Sequence, residues 1–219
     1  MSSHTSKPLV IAVDGPAASG KGTLAKKIAE HFNLHYLDTG CIYRAVGLAS
    51  MNDGKNPQDK DTAIAYAAAL KPEDVFADGL YHEGVGNAAS IVAAIPEVRS
   101  VLFAFQREIA AKPEGAVLDG RDIGTVICPD ASLKFFITAD IETRAERRYK
   151  QLQSKDKSII YQTVLDDLKR RDQRDSQRAV APLQQAKDAI RIDTTHMNAE
   201  EVLETVLSHI SHQLESVAD

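Results

Sequence analysis

The sequence contains no tryptophan, two cysteines and only 5% aromatic residues among its 219 positions. Cys41 and Cys128 are too few for a disulfide framework and lack metal-site spacing, so they read as buried thiols of a reducing compartment. No stretch approaches the roughly 18 consecutive apolar residues of a membrane span. The polar start MSSHTSKP has no signal-peptide apolar region. Positive charge is not in surplus either: the formal net charge is −5, which argues against general nucleic-acid or acidic-membrane binding. Internal repeats and low-complexity tracts are absent. What is present is 43% hydrophobic residue content, enough for one substantial core, so one domain with mobile appendages is expected.

The stretch Leu9 to Phe32 organises the rest. Leu9 to Val13 is a short apolar run that suits a central parallel strand. Leu24, Ala25, Ile28, Ala29 and Phe32 recur at helical spacing, with Lys26, Lys27, Glu30 and His31 between them. Gly15-x-x-x-x-Gly20-Lys21, followed by Gly22 and Thr23, lies in between and is a phosphate-binding loop pattern. Its glycines permit a tight turn and close approach of backbone N–H groups. The helix start directs unpaired N–H groups and a positive dipole end to the same place. Lys21 adds a point charge for phosphates, and Thr23 a hydroxyl. A glycine turn before a helix is the bland alternative, and the strand–loop–helix context weighs against it.

Further strands are expected at His35–Leu37, Ala116–Leu118, Leu133–Ala139 and Ala189–Ile192. Asp38 and Thr39, and likewise Asp119 to Asp122, would then stand at strand C-terminal ends, where open α/β sheets bind ligands. Thr39 could equally be a helix N-cap, and 119–122 a tight turn. Met51–Asp61 reads as a linker and Thr62–Leu70 as an Ala-rich helix. Lys71–Asn87, with Pro72, Gly79, Gly84 and Gly86, is expected to hold turns and a small hairpin. Ala88–Lys112 is expected to be helical with a new start at Pro96; Val98, Leu102, Phe105 and Ile109 form a core stripe with Arg99 beside it. The last helix, Ala199–Leu214, carries Leu203, Leu207, Ile210 and Leu214 on one face, with Asn198 and Glu201 as a capping box. His209 and His212 on that helix read as solvated.

Arg144 to Arg178 is basic within an acidic chain, with 11 Lys or Arg against 6 Asp or Glu. Arg144, Arg147 and Arg148 share one expected helix. A second carries Ile160, Val164 and Leu168 inward and would align Arg171, Arg174 and Arg178 on one stripe. Such a hairpin alone is usually a solvated face. Beside a phosphate-binding loop it suits phosphoryl transfer, where arginines spread and neutralise charge.

DGPAASGKGT, LDTGCIYRA, NAASIVAAIPEVR, LDGRDIGTVICPDA and KRRDQRDSQRAVAPL together resemble bacterial cytidylate kinase over nearly the whole chain. Gly22, standing where the usual motif has Ser or Thr, matches the GKGT form of nucleoside-monophosphate kinases. The resemblance implies an α/β P-loop kinase fold: a five-stranded parallel sheet flanked by helices, a mobile substrate-binding segment and a short helical lid. In one domain, 1–219, the core would comprise about 8–38, 114–142 and 175–219, the CMP-binding segment about 39–113, and the lid with its adjoining helices about 143–174. The implied reaction moves the γ-phosphate of ATP to CMP or dCMP, with Mg²⁺ held mainly by nucleotide phosphates and water and no protein metal site.

By resemblance, Gly15, Pro16, Ala17, Ala18, Ser19, Gly20, Lys21, Gly22 and Thr23 hold the ATP phosphates. Thr39, Tyr43, Arg44, Ser90, Arg99, Arg121, Asp122, Arg171 and Asp175 line the CMP side, with Ser90, Arg99 and Asp122 at cytosine and Arg171 and Asp175 around the sugar. Lys21 and the lid-side, phosphate-facing Arg147, Arg148 and Arg178 are the implied catalytic groups. Lys71–Asn87 is shorter than the strand-rich insertion that most members carry there. A cytoplasmic monomer acting on small molecules, with neither nucleic acid nor membrane as partner, is expected. Rival readings are a kinase for another nucleoside monophosphate or shikimate, a slow nucleotide-hydrolysing switch, and a nucleic-acid module built on the basic hairpin.

Overall fold

The structure, a computed structural model, describes residues 8–82, 84–154 and 156–218. The polar segment Met1–Lys7 lies outside them. Five strands form the centre: β1 (Val10–Asp14), β2 (His35–Asp38), β3 (Ala116–Gly120), β4 (Leu133–Thr138) and β5 (Ile190–Asp193). All pair in parallel in the order β2-β3-β1-β4-β5. β1 and β3 are buried throughout because helices cover both sheet faces.

Strand alternation divides the core. Val10, Ala12, Ala116 and Leu118 face one cluster, while Ile11, Val13, Val117, Leu133, Phe135 and Ile137 face the other. The first cluster packs under α2 (Thr39–Asn52), α3 (Lys60–Ala69), α4 (Val85–Val92) and α5 (Pro96–Ala110). The second packs under α1 (Lys21–Phe32) and α8 (Ala199–Ala218). Helices α6 (Ile141–Gln153) and α7 (Tyr161–Gln177) form a hairpin with its own small core of Ala145, Val164, Leu165 and Leu168 against Ala17. Cys41 and Cys128 are buried and free, as expected. No single helix among the described residues is long and apolar enough to cross a membrane.

Several expected boundaries move. Among the described residues of 71–87 no hairpin forms; a 3₁₀ turn, Pro72–Phe76, is closed by the Lys71 N–H donating to Asp74 Oδ2 at 2.8 Å. Helix α4 begins at Val85, earlier than Ala88, because left-handed Gly84 (φ 81°) precedes it and Val85 is buried. Asp59 caps α3, accepting from the Thr62 N–H at 3.3 Å, so this helix too starts early. Ile160 is not inward: it precedes α7 and is 64% exposed. On α8 the buried face is Val202, Val206 and Ile210, and Leu214 is exposed. The capping box is present, with the Asn198 N–H donating to Glu201 Oε2 at 2.7 Å and the Glu201 N–H to Asn198 Oδ1 at 3.0 Å.

Gly47 fixes how closely α2 meets α4. A Cβ there would stand 2.9 Å from Ala88 Cβ and 3.0 Å from the Ala89 backbone nitrogen. Gly47→Val should therefore destabilise the protein by about 1–3 kcal/mol through overpacking, read as a lowered urea midpoint. An unchanged midpoint would show that α4 has room to retreat.

Candidate active site

The C-terminal edge of the sheet opens into a cleft of about 490 Å³. The register places Asp38 beside Asp119 across β2 and β3, and Asp14 beside Gly120 across β1 and β3. The phosphate-binding loop forms its floor. Gly15 is required by close packing, since a Cβ there would lie 2.0 Å from the Ile137 carbonyl oxygen. Ala18 (φ 61°) and Gly20 (φ 90°) hold left-handed backbone at the start of α1. Ala17, Ala18 and Gly20 to Thr23 line the cleft. Gly15, Pro16 and Ser19 lie behind it: the Pro16 carbonyl accepts from Lys21 Nζ at 3.3 Å, and the Ser19 carbonyl accepts from Thr194 Oγ1 at 3.2 Å.

Burial pushes the Lys21 ammonium down from the usual lysine range, with the Arg121 guanidinium adding to the effect. Burial pushes the Asp119 carboxyl up, and neighbouring Asp38 adds to it. Each has opposite charge nearby (Asp119 and Asp38 for Lys21, Lys21 and Arg121 for Asp119), but burial outweighs it. Tyr36 Oη donates to Asp119 Oδ2 at 3.1 Å. Thr39 Oγ1 donates to the Asp119 carbonyl at 2.7 Å, while Asp38 occupies the N-cap position of α2. Cys41, beside Asp38, is pushed up to about 12 by burial and that carboxylate, which keeps it a thiol.

The opposite wall holds two carboxylate-centred clusters. Asp122 binds Arg99 on α5 through one oxygen and Arg178 Nη2 at 3.1 Å through the other. Asp175 on α7 accepts from Ser90 Oγ at 2.8 Å and Arg121 Nε at 2.9 Å. Although burial would raise its pKa, Arg121 and Arg171 hold Asp175 below the usual carboxylate value. Arg99 also lies 5.5 Å from the Tyr43 ring centroid.

A third group is cationic. Arg44 lies 5.0 Å over the Tyr81 ring and donates to the Leu80 carbonyl at 3.2 Å. Arg171 comes so close to Gly86 that a Cβ there would lie 3.0 Å from its Nη1 and 3.4 Å from that of Arg44. Burial, reinforced by Arg121 and Arg44, pushes the Arg171 guanidinium down to about 9, and its enclosed Nε has no hydrogen-bond partner among the described residues. Arg148 is likewise lowered, by burial and Arg44. Guanidiniums packed this way against the cleft make an anion site.

All nine residues expected on the acceptor side, together with Lys21, Arg147, Arg148 and Arg178, line this one cleft. The expected arginine stripe does not form. Helix α7 ends at Gln177, so Arg178 turns to Asp122 while Arg174 donates to Asn87 Oδ1 at 3.0 Å. Arg147 directs its donors to the β5–α8 connection, at Thr194 Oγ1 (2.9 Å) and the Thr194 carbonyl (2.6 Å). Arg144 sits behind the loop, donating to the Ala17 carbonyl at 3.1 Å and pairing with Asp172 at 2.6 Å. Tyr36, Tyr81 and Gln151 also line the cleft and were missed. Alternation along β2 could have flagged Tyr36; only its position among the glycines of 79–86 could have flagged Tyr81.

The family model described as cytidylate kinase matches residues 11–212. A cytidylate kinase from Azorhizobium caulinodans is 52% identical over 200 residues, covering 91% of this chain and 97% of that protein. One from Rhodospirillum rubrum is 49% identical over 209 residues, covering 94% and 98%. Among solved structures, a gluconokinase from Sinorhizobium meliloti superposes with a TM-score of 0.53 at 13% identity, covering 97% of each chain. An uncharacterised protein from Eubacterium ventriosum gives 0.54 at 15%, covering 93% and 98%. These two likenesses concern the fold.

Arg171 generates a test. A cation whose folded pKa is depressed costs stability at neutral pH, and that cost disappears only as pH rises from about 9 toward its unfolded value. Arg171→Met should therefore match or exceed the wild-type Tm without ligand. Inorganic phosphate should raise the wild-type Tm by several degrees, at about 2–4 °C per kcal/mol for a chain of this size. It should do so far less in the variant. Equal phosphate shifts in both proteins would dismiss Arg171 as an anion-binding group.

Proposed function

The chain belongs to the cytidylate kinase family, and on that premise we propose that it transfers the γ-phosphate of ATP to CMP or dCMP, releasing CDP or dCDP and ADP. The observation that carries the reading is a single cleft with a buried lysine loop on its floor and arginine–aspartate clusters on the facing wall. A donor triphosphate on the loop would meet backbone N–H groups of α1 and the Lys21 ammonium. Burial holds that ammonium below its normal pKa, so an arriving polyphosphate stabilises its charged form.

The acceptor side divides by charge. Arg44, Arg121, Arg148 and Arg178 are assigned to phosphates, and Arg171, expected around the sugar, adds a buried cation whose repulsion with Arg44, Arg121 and Arg148 favours an anion. Ser90, Arg99 and Asp122 are assigned to cytosine, and Asp175 to the sugar. Thr39 and Tyr43 border the nucleotide between these groups. An oxygen of the CMP phosphate forms the new bond to the γ-phosphorus, while the bond to the β,γ-bridging oxygen breaks and ADP leaves with its electron pair. The attacking oxygen is ionised at neutral pH and needs no general base. Catalysis then rests on alignment and on charge stabilisation by Lys21, Arg148 and their neighbours.

Asp38 and Asp119 fit a divalent cation brought in on the nucleotide, since a positive ion there would relieve the burial that pushes Asp119 toward protonation. Mg²⁺ would neutralise phosphate charge. The exposed Thr23 lines the same part of the cleft. We assign residues about 39–113 to acceptor binding and about 143–174 to a lid that excludes water, both on the one core. The enzyme works in this reading as a cytoplasmic monomer, on small molecules alone.

Two measurements test the proposal. ADP release from Mg·ATP should be fast with CMP or dCMP and slow with UMP, AMP, dTMP or shikimate. Preference for another acceptor would overturn the base assignments, and release independent of any acceptor would favour a hydrolytic switch. Lys21→Ala should lower turnover at saturating substrates by about 10²-fold or more, with an unchanged circular dichroism spectrum.

A further inference from the structure

Asp14 is the last residue of β1, 4% exposed, and its carboxylate faces the chain after β3 instead of the cleft. Its Oδ1 accepts the Ile123 N–H and its Oδ2 the Gly124 N–H, both at 2.8 Å. These consecutive N–H groups open a π-helical turn, Ile123–Ile127, that follows Asp122 directly. Within the turn, the Asp122 carbonyl accepts from Val126 at 2.9 Å and from Ile127 at 3.1 Å. The far end is fixed independently, where Lys134 Nζ donates to the Pro129 carbonyl at 2.7 Å.

A turn with five-residue hydrogen bonding is uncommon and leaves its first N–H groups without internal partners. Here a charged acceptor supplies both, one oxygen to each, so displacement of the turn would strand a buried carboxylate and two buried donors. The backbone of Asp122 is thereby held, and its side chain is left to meet Arg99 and Arg178 from opposite sides.

We propose that Asp14 is a positioning residue for the acceptor site: it fixes the 122–127 turn, and through Asp122 the placement of Arg99 and Arg178. The assignment of Arg99 and Asp122 to the pyrimidine base, and of Arg178 to phosphate, rests on the function proposed above. The backbone of the donor loop does not depend on this contact, although Gly15 is the next residue and Lys21 attracts the Asp14 carboxylate. Strand pairing of Asp14 with Gly120 and Phe136 and the packing of Gly15 on the Ile137 carbonyl hold that backbone. One residue at the root of the donor loop therefore acts on the acceptor.

The test is Asp14→Asn, whose amide can accept only one of the two N–H groups and opposes the other with a donor. Hydrogen exchange in a peptide spanning 121–128 should accelerate about tenfold or more, while a peptide spanning 15–24 keeps its protection. The KM for CMP should rise by about tenfold or more, with the KM for ATP within about twofold of wild type. Unchanged exchange at 121–128 would overturn the proposal. So would faster exchange throughout the molecule, equal rises in both KM values, or a failure to fold, each of which marks Asp14 as merely structural. Should the wild-type protein fail to phosphorylate CMP, the proposed function falls, and the exchange comparison alone then decides for or against Asp14.

Discussion

Charge taken out of water is the constraint on which the cleft is built. Asp122 is bound on both sides by guanidiniums, and Asp175 by Arg121 and Ser90. Such pairs contribute little net stability, because desolvation offsets most of their attraction, but losing one partner typically costs about 3–5 kcal/mol. They fix geometry: each carboxylate gives its arginines one direction, so the wall is set before any ligand arrives. Lys21, Arg148 and Arg171 are the complementary case, cations whose surroundings lower their pKa. The cleft thus spends stability at some positions and secures orientation at others.

The framework was legible in the sequence because its signals are local. Apolar runs without alternation marked β1 and β3, helical periodicity marked α1, and Gly15, Gly20 and Lys21 marked the turn between strand and helix. The arginine network was not legible from spacing. Arg99, Asp122 and Arg178 come from three separate elements, and only the fold brings them onto one carboxylate pair of oxygens. Counting along a helix even misdirects there, since α7 ends before Arg178 and turns that residue away from Arg174.

The errors have a common physical origin. A hairpin over 71–87 was expected from glycine and proline content, but those residues permit turns without supplying a second strand to pair with. The segment is held instead by side chains: Leu80 is buried against Cys41 and Ala45, and Tyr81 Oη donates to Asp38 Oδ2 at 3.2 Å. Ile160 and Leu214 follow the apolar spacing of their helices and still lie at the surface, 64% and 40% exposed. Periodicity identifies a face. It does not say how far the neighbouring layer extends.

The strand order carries a consequence for biosynthesis. β1 lies between β3 and β4, so Val10 first finds a partner at Ala116 and Ile11 a second at Leu133. Contacts of such long sequence separation form slowly. A nascent chain that has exposed the glycine-rich loop and α1 has no sheet to dock them on until β3 has left the ribosome, and β1 stays half-paired until β4 follows. Throughout that interval the strand VIAVD lacks part of its pairing, an apolar edge of the kind that favours association with other chains.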